Sequence, residues 1–152
     1  MTAELRELYQ SVILDHNRRP RNFREPEGTN RSAEGLNPLC GDKVTVYLVV
    51  DGERVVDAGF SGAGCAISTA SASLMTEAVK GKPLAEIAKL FERFHGFVTS
   101  QPSALAPEAD ELGKLAVFGG VREFPMRVKC ATLSWHALRQ ALHQGGAPVS
   151  TE

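Results

Sequence analysis

Apolar side chains near the start of the chain recur at helical spacing. The pattern runs from Leu5 to His16, and Thr2 is a suitable N-cap residue before it. Pro20 disfavours helical backbone in the residue that precedes it. We therefore predict an amphipathic first helix that ends within residues 17–20.

The next strong pattern predicts a β-hairpin. Residues 43–50 are rich in β-branched side chains, and Asp51-Gly52 is a tight-turn signal that leads into a second strand over residues 54–60. The stretch before this hairpin, residues 21–39, contains glycines and prolines and has no periodicity. There we predict an extended arm or mobile loop.

Helical patterns fill most of the remaining chain. We predict a sharp turn at residues 61–64, helices over residues 67–79, 84–94, 108–118 and 125–143, and a surface loop over residues 99–107. Gly119 and Gly120 are expected to end the third of these helices.

The composition is that of a globular domain. Of 152 residues, 43% are hydrophobic and 23% are charged, a length and balance that allow one buried core without disulfides. We expect a single domain over residues 1–144 and a disordered tail over residues 145–152. No apolar run could span a bilayer and no signal peptide is evident, so we expect a cytoplasmic protein without a membrane partner.

The overall charge gives no sign of a nucleic-acid partner. There are 17 basic and 18 acidic side chains, and the net charge is -1. Four arginines nevertheless cluster within residues 18–24. They form either a solvated surface or a patch that steers an acidic protein partner.

The three cysteines carry the clearest candidate chemistry. Because an odd number cannot pair completely, a metal or catalytic role is favoured over a disulfide framework. Cys40 and Asp42 flank Gly41 just before the hairpin, Cys65 precedes a predicted helix, and Cys130 falls in the first turns of the last helix. A shared metal site is our hypothesis. The spacing matches no local zinc motif, so three unrelated buried cysteines are the alternative.

Several short motifs extend the analysis to almost the whole chain. They are YQSVILDH at residues 9–16, PRN at 20–22, NPLCGD at 37–42, FSGAGCAIS at 60–68 and RVKCA at 127–131. Together they resemble the iron-sulfur cluster assembly proteins of the IscU/SufU type, which are related to the NifU N-terminal domain. The resemblance runs from Leu8 to His143 with all three cysteines in register.

The resemblance implies both a fold and a metal site. The fold would be α+β, with a small antiparallel sheet, helices packed on one face and the metal site at one exposed end. The implied ligands are Cys40, Asp42, Cys65 and Cys130. Three thiolates and one carboxylate suit tetrahedral zinc, and the harder carboxylate oxygen is typical of a site that can open.

Two departures favour the SufU branch of the family. Lys129 stands where scaffold-type members carry a histidine, and extra residues lie around 94–112. In that branch the resemblance implies a zinc protein that accepts persulfide sulfur from a cysteine desulfurase on Cys40 and delivers it to cluster assembly. The resemblance thus implies a sulfur acceptor or carrier of the sulfurtransferase type rather than a classical enzyme.

A scaffold role is the alternative within the same family. Fe2+ and sulfide would assemble on the same four ligands into a [2Fe-2S] cluster, which would pass to downstream carriers or apo-proteins. In that version Cys130 is the candidate sulfur acceptor.

Two hypotheses come from other functional classes. One is a cysteine hydrolase that uses Asp15-His16 with one thiol, although His16 also continues the apolar face of the first helix and fits a packing role. The other is a structural zinc domain that mediates binding. In such a domain, removal of the metal would unfold the chain. Surface or packing roles are expected for His95, His136, His143 and Trp135.

Two basic residues next to Cys130 are candidates for supporting the site. Lys129 could stabilise a ligand set whose negative charge exceeds that of the metal, or it could be a solvated surface lysine. Arg127 could pair with Asp42 or help to receive a partner, or it could form an exposed salt bridge without function.

Overall fold

The sheet consists of three antiparallel strands joined by two hairpins. The computed structural model describes residues 3–101, 112–143 and 149–150. A fourth, two-residue strand pairs in parallel with the first, which gives the strand order β3-β2-β1-β4. The strands are β1 (Arg31–Asn37), β2 (Asp42–Asp51), β3 (Arg54–Ala63) and β4 (Val149–Ser150).

Helices cover one face of this sheet. Burial alternates along β2, where the side chains of every second residue from Val44 to Val50 are buried and those between them are partly exposed. This period-two pattern confirms the α+β fold with one covered face. The helices are α1 (Ala3–Arg18), α2 (Ala66–Val79), α3 (Leu84–Val98), a 3₁₀ helix (Gly113–Glu123) and α4 (Pro125–Leu142).

Aromatic side chains fill the core between α3 and α4. Trp135 is 1% exposed, stacks on Phe94 with ring centroids 4.5 Å apart, and donates its indole N–H to Ser71 Oγ at 3.2 Å. His95 and His136 both contact the Phe91 ring. The packing roles predicted for these residues are confirmed.

The prediction of an extended arm or mobile loop over residues 21–39 missed a strand, because residues 31–37 form β1. Arg31–Asn37 contains Glu34 and Gly35 and has no β-branched residue, so its local pattern does not indicate a strand. Long-range contacts impose the extended conformation: every residue of β1 pairs with β2. Asn30, just before the strand, also bonds both the N–H and the C=O of Val50 through its side chain.

Two other element boundaries differ from those expected. β3 continues through the turn predicted at residues 61–64 as far as Ala63, because Ser61 pairs with Thr45 and its hydroxyl bonds the Tyr47 hydroxyl at 2.9 Å. The segment after residue 112 is a 3₁₀ helix that runs through both glycines, since the buried side chains on either side of them pack into the core.

The remaining helices begin and end within a few residues of the predicted positions. Three predicted features lie outside the described residues. They are the N-cap Thr2, residues 102–111 of the predicted loop and helix, and the predicted tail except for Val149–Ser150. Within the described residues, no helix is both long and apolar enough to cross a membrane.

Candidate metal centre

Cys40 lies on the turn that connects β1 to β2. Its N–H donates to the Asn37 carbonyl at 3.2 Å, and the next residue, Gly41, has φ +71, a left-handed conformation that glycine adopts without steric cost. The side chain of Cys40 is half-buried, and Leu39 beside it is 59% exposed. The turn therefore presents this thiol at an accessible edge of the sheet.

Asp42 and Cys65 are joined by a direct hydrogen bond. Asp42 begins β2 and is only 2% exposed, and its Oδ1 accepts the backbone N–H of Cys65 at 2.8 Å. A Cβ atom at Gly64 would lie 2.8 Å from that same oxygen, so glycine is required for this close approach. Cys65 in turn is the N-cap of α2, where its Sγ accepts the N–H of Ser68 at 3.4 Å.

Cys130 approaches the same place from the second turn of α4. It is fully buried, and its Sγ lies 3.5 Å from Cys40 Sγ. Burial raises the pKa of the Cys130 thiol, and contacts with Cys40, Asp42 and Cys65 raise it further. Without a metal the Cys130 side chain is therefore a neutral thiol, and metal binding must release its proton.

The three thiols and the carboxylate meet at one end of the sheet. Ligand atoms of Cys40, Asp42 and Cys130 all lie within 4.8 Å of one another. Cys65 is not part of that tightest group, but its Sγ is 3.8 Å from Asp42 Oδ2. With zinc-to-sulfur bonds of about 2.3 Å, sulfur atoms on a tetrahedral site are roughly 3.8 Å apart. The separations and the chemistry of these donors fit a thiolate-rich metal site.

The two basic residues next to Cys130 behave differently. Arg127 is exposed, and its pKa is raised by the electrostatic influence first of Cys65 and then of Cys130, which places it near the thiols. The suggested ion pair between Arg127 and Asp42 is not among those of the described residues. Lys129 is partly exposed, and no contact described for it reaches the four candidate ligands.

The hydrolase hypothesis needs His16 beside a thiol, and the described contacts of His16 include no cysteine. Its Nδ1 is 2.7 Å from Ser73 Oγ and its Nε2 is 3.7 Å from a Glu77 carboxylate oxygen. A serine, a histidine and a carboxylate in this order could suggest a triad, but Ser73 is fully buried. These contacts join α1 to α2, which is the packing role.

The arginine cluster at residues 18–24 is partly neutralised within the chain. Arg21 forms an ion pair with Asp15 at 2.7 Å, and Arg24 forms one with Asp57 at 3.1 Å. The steering role suggested for this cluster stays a prediction.

Two residues at the site were not identified from the sequence. Asn37 is fully buried, and its Nδ2 points at Cys130 Sγ from 3.8 Å. Gly64 was assigned only to a turn, although it is the residue that admits the Asp42 carboxylate. Both residues lie within the NPLCGD and FSGAGCAIS motifs next to Cys40 and Cys65, but a motif does not show which atoms are in contact.

The chain matches both a known protein family and a solved structure. The family model described as the NifU-like N terminal domain matches residues 8–131. The crystal structure of a hypothetical protein is 38% identical, with a TM-score of 0.81, and the match covers 90% of this chain and 98% of that one.

Two curated relatives are equally similar to this chain. The iron-sulfur cluster assembly scaffold protein IscU of Streptococcus pyogenes is 39% identical over 92% of this chain and 86% of the relative. The zinc-dependent sulfurtransferase SufU of Bacillus subtilis is 39% identical over 95% of this chain and 97% of the relative. Identity therefore does not separate the two branches. The chain belongs to the NifU-like N-terminal domain family and is an iron-sulfur cluster assembly protein of the IscU/SufU type with a cysteine-containing metal site.

Proposed function

We propose that this protein is a zinc-dependent acceptor of persulfide sulfur, and that Cys40 receives the sulfur from a cysteine desulfurase. The observation that carries the proposal is the unequal placement of the thiols. Cys40 lies on an accessible turn, whereas Cys130 is fully buried in α4 and Cys65 is fixed at the start of α2. Cys40 can therefore leave a shared site with the smallest disturbance of the fold.

The residues that would hold the zinc are Cys40, Asp42, Cys65 and Cys130. When bound, zinc keeps these sulfurs deprotonated and tethered, which preserves a thiolate for reaction. Arg127 places a positive charge beside the thiols and partly offsets their excess negative charge.

The transfer itself is a thiol-persulfide exchange. The Cys40 thiolate, once displaced by a group of the partner, attacks the terminal sulfur of the desulfurase persulfide. A sulfur-sulfur bond forms at Cys40 as the one in the desulfurase breaks, and the desulfurase cysteine leaves as a thiolate. The step needs no external oxidant or reductant.

Exposed apolar side chains next to the thiols support a protein partner. Leu39, which precedes Cys40, is 59% exposed, and Met126, one helical turn before Cys130, is 51% exposed. Phe124, at the start of α4, is 57% exposed. Apolar surface of this kind is typical of contact sites between proteins.

Release of alanine by a cysteine desulfurase tests this proposal. The zinc-loaded protein is expected to accelerate release at least tenfold in the presence of a reductant, and Cys40→Ala should abolish the acceleration because no acceptor thiol is left. Ser100→Ala, which lies outside the candidate site, serves as the control and should accelerate like the wild type. No acceleration by the wild-type protein would reject the sulfur-acceptor role.

A scaffold role is the second candidate, and the similarity to the streptococcal scaffold protein supports it as much as the similarity to the Bacillus sulfurtransferase supports the first. In that case Fe2+ and sulfide are the cargo, assembled on the same four residues and passed to downstream carriers or apo-proteins. Reconstitution under anaerobic conditions, followed by visible absorption and transfer to an apo-ferredoxin, distinguishes the roles. A scaffold forms and transfers a [2Fe-2S] cluster, whereas a sulfur acceptor retains zinc.

A further inference from the structure

Asn37 has a side chain whose placement the fold alone does not require. It ends β1, three residues before Cys40, and is completely buried. Its Nδ2 points at Cys130 Sγ from 3.8 Å, and its Oδ1 is buried without a hydrogen-bond partner among the described residues. An unsatisfied buried amide oxygen lowers the free energy of unfolding. A leucine at this position would therefore destabilise the fold less than this asparagine does.

The backbone of Asn37 is tied to the same site as its side chain. Its carbonyl accepts the N–H of Cys40 at 3.2 Å, and it lies directly opposite Asp42 in the pairing of β1 with β2. Asn37 therefore touches Cys130 through its amide, Cys40 through its carbonyl and Asp42 through the strand pair. A displacement of this residue would therefore shift three of the four candidate ligands.

We propose that Asn37 is a positioning residue that holds Cys130 as the fixed ligand, so that opening of the site occurs at Cys40. A thiolate can only accept hydrogen bonds, and an N–H donor directed at the sulfur stabilises the charged form and fixes its orientation. Within the described part of the chain, Cys40 Sγ has a hydrogen bond only from Cys130. The donor thus distinguishes two sulfurs that are 3.5 Å apart. This inference rests on the proposed zinc site.

Metal release from the full-length protein tests the role of Asn37. Asn37→Leu keeps the branching and the number of side-chain heavy atoms and removes the donor. We expect zinc release to a competing chelator to become about 10–100-fold faster, as for other residues that orient metal ligands. The sulfur-to-metal charge-transfer absorption of the Co2+-loaded protein should also change. Thermal unfolding of the metal-free variant should be unchanged or shifted upward, because the unsatisfied oxygen is gone.

Asn30 provides a matched control at the opposite end of β1. Its side chain bonds the N–H and the C=O of Val50 at 2.8 and 2.7 Å, and both of its polar atoms are satisfied. Asn30→Leu should therefore lower the thermal stability of the metal-free protein while leaving zinc release and the cobalt spectrum as in the wild type. The two asparagine variants are expected to show opposite patterns.

Several outcomes decide the matter. If Asn37→Leu releases zinc at the wild-type rate with the wild-type cobalt spectrum, Asn37 has no positioning role. The same holds if Asn37→Leu only lowers stability, as Asn30→Leu should. If Asn37→Leu does not fold, Asn37→Ser takes its place, because a serine side chain is too short to reach the sulfur. The same acceleration of zinc release is expected for this variant. A wild-type protein that binds neither zinc nor cobalt overturns the proposed function, and the inference with it.

Discussion

The Asp42 carboxylate divides its two oxygens between two tasks. Oδ1 accepts the N–H of Cys65, and Oδ2 lies 3.8 Å from Cys65 Sγ. The hydrogen bond fixes the orientation of the carboxylate beside the N-terminus of α2. One oxygen is thereby held by the protein while the other is available to a metal.

Substitution of Gly64 is expected to disturb this arrangement without disrupting the fold. In Gly64→Ala the new Cβ would approach Asp42 Oδ1 to 2.8 Å, so the carboxylate must move. We expect zinc affinity to fall about 10–100-fold, measured by competition with a chelator. Gly96→Ala is the control, because a Cβ there meets nothing within 4 Å. Equal zinc affinity in the two variants would show that Asp42 needs no fixed position.

The buried His16 and the half-buried His136 should make the metal-free protein less stable in acid. Burial is the first cause that holds the pKa values of His16 and His136 below 6.5. As the pH falls below about 6.5, the unfolded chain takes up protons that the folded chain does not. The free energy of unfolding therefore falls as the pH drops from about 6.5 to the lower pKa of the folded state. Urea midpoints between about pH 7.5 and 5 measure this loss, and His136→Gln should reduce it. An identical pH profile in His136→Gln would contradict the assignment.

Individual reactive residues were only partly accessible from the sequence. The odd number of cysteines pointed to metal chemistry, but the choice of Cys40, Asp42, Cys65 and Cys130 as one set depended on family resemblance, because these residues are far apart in the chain. Asn37 carries no chemistry of its own, and its role follows from a contact across 93 positions in the sequence. Such a contact has no local signature.

At the scale of elements, α2 depends on one of the candidate ligands. Cys65 caps the helix through Sγ, so its role in the fold and its role in the site share one atom. Loss of an N-cap side chain costs about 1 kcal/mol.

Two substitutions of Cys65 separate these roles. Cys65→Ser retains a capping oxygen, whereas Cys65→Ala removes the cap. We expect both variants to lose zinc affinity, but only Cys65→Ala to lower the unfolding free energy of the metal-free protein, by about 1 kcal/mol relative to Cys65→Ser. Urea denaturation measures the difference. Equal stability of the two variants would mean that the sulfur does not act as a cap.

The accuracy of the predictions differed between elements for a physical reason. The four α-helices and the hairpin of β2 with β3 carry their signals in local periodicity and turn residues, and these were found. β1 is a strand because β2 lies beside it, and β3 extends to Ala63 because its last residues still pair with β2. Pairing partners distant in sequence override local preference, and a local pattern cannot show them.

For the whole molecule, the core is expected to hold without a metal. The buried aromatic cluster around Trp135 and Phe94 does not include the candidate ligands. Chelation should therefore lower the melting temperature through loss of ligand binding while unfolding remains cooperative. Near-ultraviolet circular dichroism of Trp135, the single tryptophan, reports on the core. Loss of that signal on chelation at 25 °C would instead favour a structural zinc domain.

Residues 94–112, interpreted from the sequence as extra residues, begin and end in the core. Its described part includes the end of α3, where Phe94, Phe97 and Val98 are buried in the core. At the other end of this stretch, Leu112 is 5% exposed. The two ends of the segment therefore contribute to stability, whatever residues 102–111 do.

The distribution of the four candidate ligands also constrains when the centre can form. The β1–β2 turn, the start of α2 and the second turn of α4 must all be in place before the sulfurs meet, and α4 follows the other two in the chain. During synthesis the first two cysteines leave the ribosome well before the third. The emerging chain therefore carries an incomplete ligand set, and loading with metal must wait until α4 has docked on the sheet.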